Sequence, residues 1–108
     1  MCVTSMLLCG FVAVALMAGQ KAAPRANVAK GKEAFEQCVI CHAVDTNEKK
    51  LGPSLKGLFK RAKLQNGKPL NNATVLAQIN EGGNGMPAYA DILSAQDKAN
   101  IMAYLHTL

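Results

Sequence analysis

The sequence predicts an all-α fold of three to five short helices in one small domain. Three observations carry this. Apolar residues recur at steps of three and four, the spacing of one helix face, in separate stretches along the chain. Between them lie clusters that read as turns: Gly52-Pro53-Ser54, Asn66-Gly67-Lys68-Pro69 and Gly82-Gly83-Asn84-Gly85. No run alternates apolar and polar residues as a half-buried strand requires, and no repeat or low-complexity tail is present.

The first helix is expected to start at Asn27, a residue type suited to capping a helix N-terminus. Its inner stripe is Val28, Gly31, Phe35, Cys38 and His42, and Lys30, Lys32, Glu33 and Glu36 lie opposite. Gly31 costs about 1 kcal/mol against Ala inside a helix. Its place on the apolar stripe predicts close approach of another helix. Ala43 to Leu51 is polar and reads as a loop. Leu55, Leu58 and Phe59 give a short stripe, with Lys56, Lys60, Arg61 and Lys63 facing away. A helix from about Ala73 to Glu81 turns Val75, Leu76 and Ile79 inward, with Asn72 or Thr74 as its cap. Gly82 ends it where a left-handed residue is wanted. Ser94-Ala95-Gln96-Asp97 resembles a capping box. The last helix runs from there to about Thr107, with Ile101, Met102, Leu105 and Leu108 on one stripe, Tyr104 beside it and His106 solvated.

The chain has 108 residues and a formal charge of +5. From Met6 to Ala18 it reads MLLCGFVAVALMA, uncharged and short for a membrane span. Small residues follow, so residues 1–23 are expected to be a secretory signal cut between Ala15 and Ala23, or an N-terminal anchor if uncut. No Lys or Arg precedes the run, which departs from the usual signal. Leu8 before Cys9 argues against lipid attachment. The domain is then residues 24–108. Losing residues 1–23 removes Lys21 and no acidic residue, so the charge falls by one, to +4. A domain of that size has a thin core.

Cys38-Val39-Ile40-Cys41-His42 is the stretch that carries chemistry. Two thiols three residues apart, followed at once by histidine, is the pattern of covalent c-type haem attachment. On a helical turn the cysteines share one side, and the imidazole of His42 can reach the iron. A thioredoxin-like site needs a βαβ pattern, and none follows. A zinc site needs a fourth ligand at suitable spacing, and a Cys38–Cys41 disulfide closes a strained loop. A bound apolar cofactor would also supply core that the chain lacks. For a sixth iron ligand, Met102 reads as core and His106 as solvated. Met86 follows a glycine loop and is held extended by Pro87.

With these residues in view, the chain resembles class I cytochrome c, the small monohaem type of bacteria. The likeness covers nearly all of residues 28–108. It rests on GKEAFEQCVICH at 31–42, GPSLKGLFKR at 52–61, the MP of GMPAY at 85–89, and IMAYL at 101–105. It implies the small cytochrome c fold around one haem c, bound covalently through Cys38 and Cys41. His42 and Met86 are the implied iron ligands. The Pro53 carbonyl would accept the His42 ring N–H, and Arg61 would lie near a haem propionate. Gly31 and Phe35 would meet Ile101 and Tyr104 where the first and last helices cross. The stretch between Arg61 and Met86 is short and lacks the tryptophan that larger members place beside a propionate.

The expected function is a periplasmic carrier of single electrons, not an enzyme. Two other readings stand beside it: a haem subunit tethered to a membrane oxidoreductase, and a haem protein with a labile sixth site for gas or peroxide. No Asp or Glu occurs from Lys49 to Asn80, a span with seven basic residues: Lys49, Lys50, Lys56, Lys60, Arg61, Lys63 and Lys68. These either keep the surface solvated or form a docking face for redox proteins with acidic faces. Nucleic acid is not an expected partner, because no aromatic interleaving accompanies the charge. Membrane contact is expected only through a retained N-terminal segment, and the expected state is a monomer.

Overall fold

The computed structural model of the chain describes residue 19 and residues 24–108. The segment expected as signal or anchor lies, apart from Gly19, outside the described residues. Among the described residues there are three α-helices: α1 (Val28–Ala34), α2 (Asn72–Glu81) and α3 (Ala95–Leu105). Two 3-10 turns, Phe35–Gln37 and Leu58–Lys60, join them. Among the described residues the only β pairing is two isolated bridges, Lys63 with Pro69 and Gly83 with Met86. None of the described helices is long and apolar enough to cross a membrane.

The frame is the crossing of α1 over α3. The Asn27 side chain accepts the Lys30 N–H at 3.0 Å and starts α1. Gly31 is buried, and a Cβ there would lie 2.5 Å from the Asn100 carbonyl carbon and 2.9 Å from Tyr104 Cβ. Phe35 meets Tyr104 with ring centroids 5.4 Å apart and a 58° tilt, a favourable aromatic arrangement. Asn100 is 2% exposed. Its Oδ1 accepts the Asn27 N–H at 2.8 Å and Gln96 Nε2 at 3.0 Å, so the buried amide oxygen is satisfied. Gln96 Nε2 also donates to the Arg25 carbonyl at 2.7 Å. The segment before α1 is thereby tied to α3.

The stripe expected from Val28 to His42 is shorter than the sequence spacing suggests. Val28 is 46% exposed, because the close approach to α3 falls at Gly31, almost one turn later. The α-helix ends at Ala34 and tightens through Phe35–Gln37 into a turn that holds the cysteines.

Helix α2 starts one residue earlier than expected. Asn71 is its cap: Asn71 Oδ1 accepts the Thr74 N–H at 2.9 Å, and Thr74 Oγ1 accepts the Asn71 N–H at 3.1 Å. Thr74 is thus the reciprocal partner of a capping box, and neither Thr74 nor Asn72 is the cap. Val75 and Ile79 are buried, Leu76 half so. At α3 the Ser94 hydroxyl accepts the Asp97 N–H at 3.0 Å and donates to the Asp97 carboxylate at 2.8 Å. The acid therefore takes the hydroxyl rather than the Ser94 backbone N–H.

His106, just past α3, is exposed but not idle. Its ring stacks on Phe59 at 3.6 Å and 17°, and Nε2 lies 2.7 Å from Asn72 Oδ1. That contact clips the end of α3 to the start of α2 and to the second 3-10 turn.

The buried apolar residues are Phe35, Ala43, Leu58, Val75, Ile79, Leu93, Ile101, Tyr104 and Leu105. Around them Leu55, Phe59, Leu64, Leu70, Met86 and Tyr89 are only partly covered by protein.

Replacing Gly31 with Ala tests the crossing. The added methyl meets backbone, which cannot swing aside, so overpacking costs about 3 kcal/mol, and helix propensity returns about 1. We expect the holoprotein to melt roughly 10 °C lower, at 4–8 °C per kcal/mol for a domain of this size. An unchanged melting temperature would show that the helices do not need this contact.

Candidate haem-binding site

The CVICH stretch is a compact turn. The Phe35 carbonyl accepts the Cys38 N–H at 2.7 Å. The Cys38 carbonyl accepts from the N–H groups of Cys41 at 3.1 Å and His42 at 2.9 Å. This winding leaves Cys38, Cys41 and His42 half-buried, while Val39 and Ile40 are 39% and 69% exposed. The two sulfurs are not bonded to each other. They stand here as thiols for what are thioether sulfurs once haem is attached. Burial first, and then the neighbouring Cys41, push the Cys38 thiol up. A thiol–disulfide enzyme needs the opposite, a nucleophile pulled down. The Tyr89 phenol is also pushed up, first by burial and then by Cys38 and Cys41.

His42 is held by a second loop. Its Nδ1 lies 2.7 Å from the Pro53 carbonyl oxygen. A carbonyl only accepts, so Nδ1 carries a hydrogen, and Nε2 is the nitrogen left for a metal, which binds imidazole in its neutral form. Gly52 makes room for this. A Cβ there would lie 2.8 Å from Nδ1, and the Gly52 N–H is pinned to the Cys41 carbonyl at 2.8 Å. The following Ser54 is 7% exposed; its hydroxyl donates to the Thr46 carbonyl at 2.5 Å and accepts the Lys56 N–H at 3.2 Å. Arg61 is exposed, and its Nη2 donates to the carbonyls of Ser54 at 3.0 Å and Lys56 at 2.7 Å. The guanidinium therefore braces the turn that aims Pro53.

Met86 arrives from the end of α2. Asn84 and Gly85, the two central residues of the turn from Gly83 to Met86, both have positive φ, 53° and 90°. That is the signature of a tight type I′ turn, with Asn-Gly in its favoured place. Gly83 and Met86 exchange both backbone hydrogen bonds, at 2.9 and 3.0 Å. Gly82 has φ 65°, and a Cβ there would lie 2.7 Å from the Pro87 carbonyl carbon, so glycine lets the Met86–Pro87 backbone pass. The Met86 side chain is half-buried against the core, and Gln78 Nε2 lies 3.8 Å from its sulfur.

Cys38, Cys41, His42 and Pro53 thus form one hydrogen-bonded unit. Arg61 joins it through Ser54. Met86 belongs to a separate loop and shares only the core with it. Sequence spacing alone missed Ser54 and Gln78, which act across loops whose approach no local period encodes. The donor set fits a covalently bound haem: two half-buried thiols three residues apart, an imidazole whose Nδ1 is held by a carbonyl and whose Nε2 is left over, and a half-buried thioether. The partly covered walls of Leu55, Phe59, Leu64 and Leu70 offer apolar surface for a flat macrocycle. A zinc reading fails on the same residues. Among the described residues no three His, Cys, Asp or Glu side chains gather as a metal site requires.

Residues 26–105 match the protein family described as cytochrome C oxidase, cbb3-type, subunit III. The chain is 32% identical over 93 residues to cytochrome c2 iso-1 of Magnetospirillum molischianum, across 69% of this chain and 93% of that protein. Among solved structures it is similar to cytochrome c6 of the diatom Phaeodactylum tricornutum. There the TM-score is 0.58 at 26% identity, covering 76% of this chain and 93% of the other. With the attachment turn and the helix crossing already in place, these likenesses put the chain in that cytochrome family. It is a class I monohaem cytochrome c, a small electron carrier with one covalently bound haem c.

Proposed function

We propose that the protein shuttles single electrons between redox proteins in the periplasm, with its iron held by His42 and Met86. The observation that carries this is the Met86 loop. A type I′ turn, a positive-φ glycine and a proline together deliver one half-buried thioether to the edge of the core. A methionine exposed by chance in a loop would need none of these constraints. Haem supplies a one-electron couple, and a methionine opposite histidine raises its potential. Cys38 and Cys41 hold the group, and the Pro53 carbonyl keeps His42 in one tautomer and one orientation. With His42 and Met86 both holding the iron, no open site would be left for gas or peroxide, which favours carriage over ligand activation.

Partners of this carrier have acidic docking faces. Lys49, Lys56, Lys60, Lys63 and Lys68 are exposed, and they come from a stretch without a counter-charge. Lys50 is held differently: its Nζ donates to the Val39 carbonyl at 2.6 Å, which sets a cation beside the attachment turn. Arg61, committed to the Ser54 turn, contributes less to docking.

A second reading has one observation in its favour. The matched family is described as a subunit of an oxidase, so the chain could serve as a tethered subunit. Sequencing the N-terminus of the purified protein separates the two. A start between residues 16 and 24 is the carrier; an intact segment 1–23 in the membrane fraction is the tethered subunit.

Met86→Ala is expected to lower the potential and let the oxidised iron bind added imidazole. The far-red charge-transfer band of thioether on ferric iron is the readout. The band should be present in the wild type at neutral pH and lost in the variant. Survival of the band in Met86→Ala would sink the assignment.

Electron transfer to an acidic partner should slow as salt rises. Screening shortens to about 10 Å at 0.1 M ionic strength. A second-order rate that stays flat over a wide salt range would rule out the basic stretch as the docking face.

A further inference from the structure

We propose that Gln78 is a positioning residue for the Met86 sulfur, and that its amide both holds the sulfur and weakens it as an electron donor toward iron. The proposal rests on reading Met86 as an iron ligand. Gln78 lies in the last turn of α2 and is half-buried. Its Nε2 donates to the Gly82 carbonyl at 3.0 Å and lies 3.8 Å from Met86 Sδ. Its Oε1 lies 3.4 Å from Asn66 Nδ2. These neighbours fix the direction of the amide. Turned over, Oε1 would face the Gly82 carbonyl oxygen and Nε2 would face the amino group of Asn66. Both N–H bonds are thereby committed, one to a carbonyl and one to the thioether.

A thioether sulfur is a weak acceptor with two lone pairs. One directed at iron leaves the other for Gln78. An N–H on that second pair draws electron density from sulfur, so the ferric state gains less from the ligand and the potential rises. The same nitrogen also ties the start of the loop, Gly82, to its end, Met86. The sulfur cannot swing away without giving up the contact. The bland alternative is that Gln78 only caps the C-terminus of α2 through Gly82, four residues on. A cap would change stability but would leave the electron density at sulfur untouched.

The experiment uses the holoprotein with Gln78→Leu and Gln78→Asn. Leucine keeps similar bulk without donors. Asparagine keeps a neutral amide but is one methylene too short to reach the sulfur. The readouts are the midpoint potential, taken where the far-red band shows full methionine ligation, and the affinity of the oxidised protein for imidazole. Both variants should have a lower potential, since the sulfur then donates more strongly to ferric iron, while imidazole affinity shifts by no more than about threefold because the lost tether and the stronger donation oppose each other. If the leucine variant fails to load haem, the asparagine variant carries the test. A lower melting temperature with the potential unchanged would overturn the proposal and leave methionine ligation standing. A wild type without the far-red band would overturn the ligation reading itself, whatever the variants do.

Discussion

The contact on which the rest of this molecule depends is the approach of α1 to the backbone of α3 at Gly31. Helices normally cross with side chains between them, at axis separations near 8–10 Å. Here Gly31 sits against the Asn100 carbonyl and Tyr104 Cβ with no side chain of its own between them. The closeness has two effects. It brings Asn27 within reach of the Asn100 side chain, which buries an amide without leaving its oxygen unpaired. It also fixes where Phe35 enters the core, and Cys38 follows Phe35 by one 3-10 turn. The position of the attachment turn is therefore set from the helix crossing outward.

A second theme is how little of the apolar interior the protein closes by itself. Among the described residues nine apolar ones are buried, and a comparable ring of leucines and aromatics is left part-covered. In a domain this small the shortage is expected, since surface dominates volume. A macrocycle bound through two sulfurs answers it directly. The same half-covered residues that look like an incomplete core offer the apolar surface that a macrocycle needs. Stability and cofactor binding are in this sense one property, as in small domains that fold around a metal.

Much of this was legible in the sequence. Gly31 on an apolar stripe announced the crossing, Asn27 and Ser94 announced two helix starts, and Gly82 announced a helix end. CVICH pointed to haem because thiol and imidazole chemistry demand that spacing. The misses share a cause. Asn71 outcompeted Asn72 and Thr74 as a cap because a capping box needs two reciprocal bonds, and only the 71–74 pair supplies both. The α1 stripe was read too long, since a period of 3.6 continues on paper into a turn whose backbone has tightened to 3-10. Arg61, Ser54 and Gln78 act through carbonyls and loops. Backbone acceptors carry no sequence signal, so the bracing of Pro53 and the bond to the Met86 sulfur could be read only in three dimensions.

The loop from Gly82 to Met86 has a consequence of its own. Four consecutive residues with positive φ, closed by two backbone bonds, make a unit with almost no buried apolar surface beyond one methionine side chain. Such a unit opens at a free energy well below that of the whole domain. The α1–α3 crossing and the cysteine turn share no hydrogen bond with it, so it can detach while they stay intact. The molecule is thus built with unequal cohesion: the attachment turn leads straight on from the close helix crossing, while Met86 is carried by a loop held mainly by its own backbone bonds and by Gln78. In hydrogen exchange the amides of Gly83 and Met86 are therefore expected to exchange before those of α3.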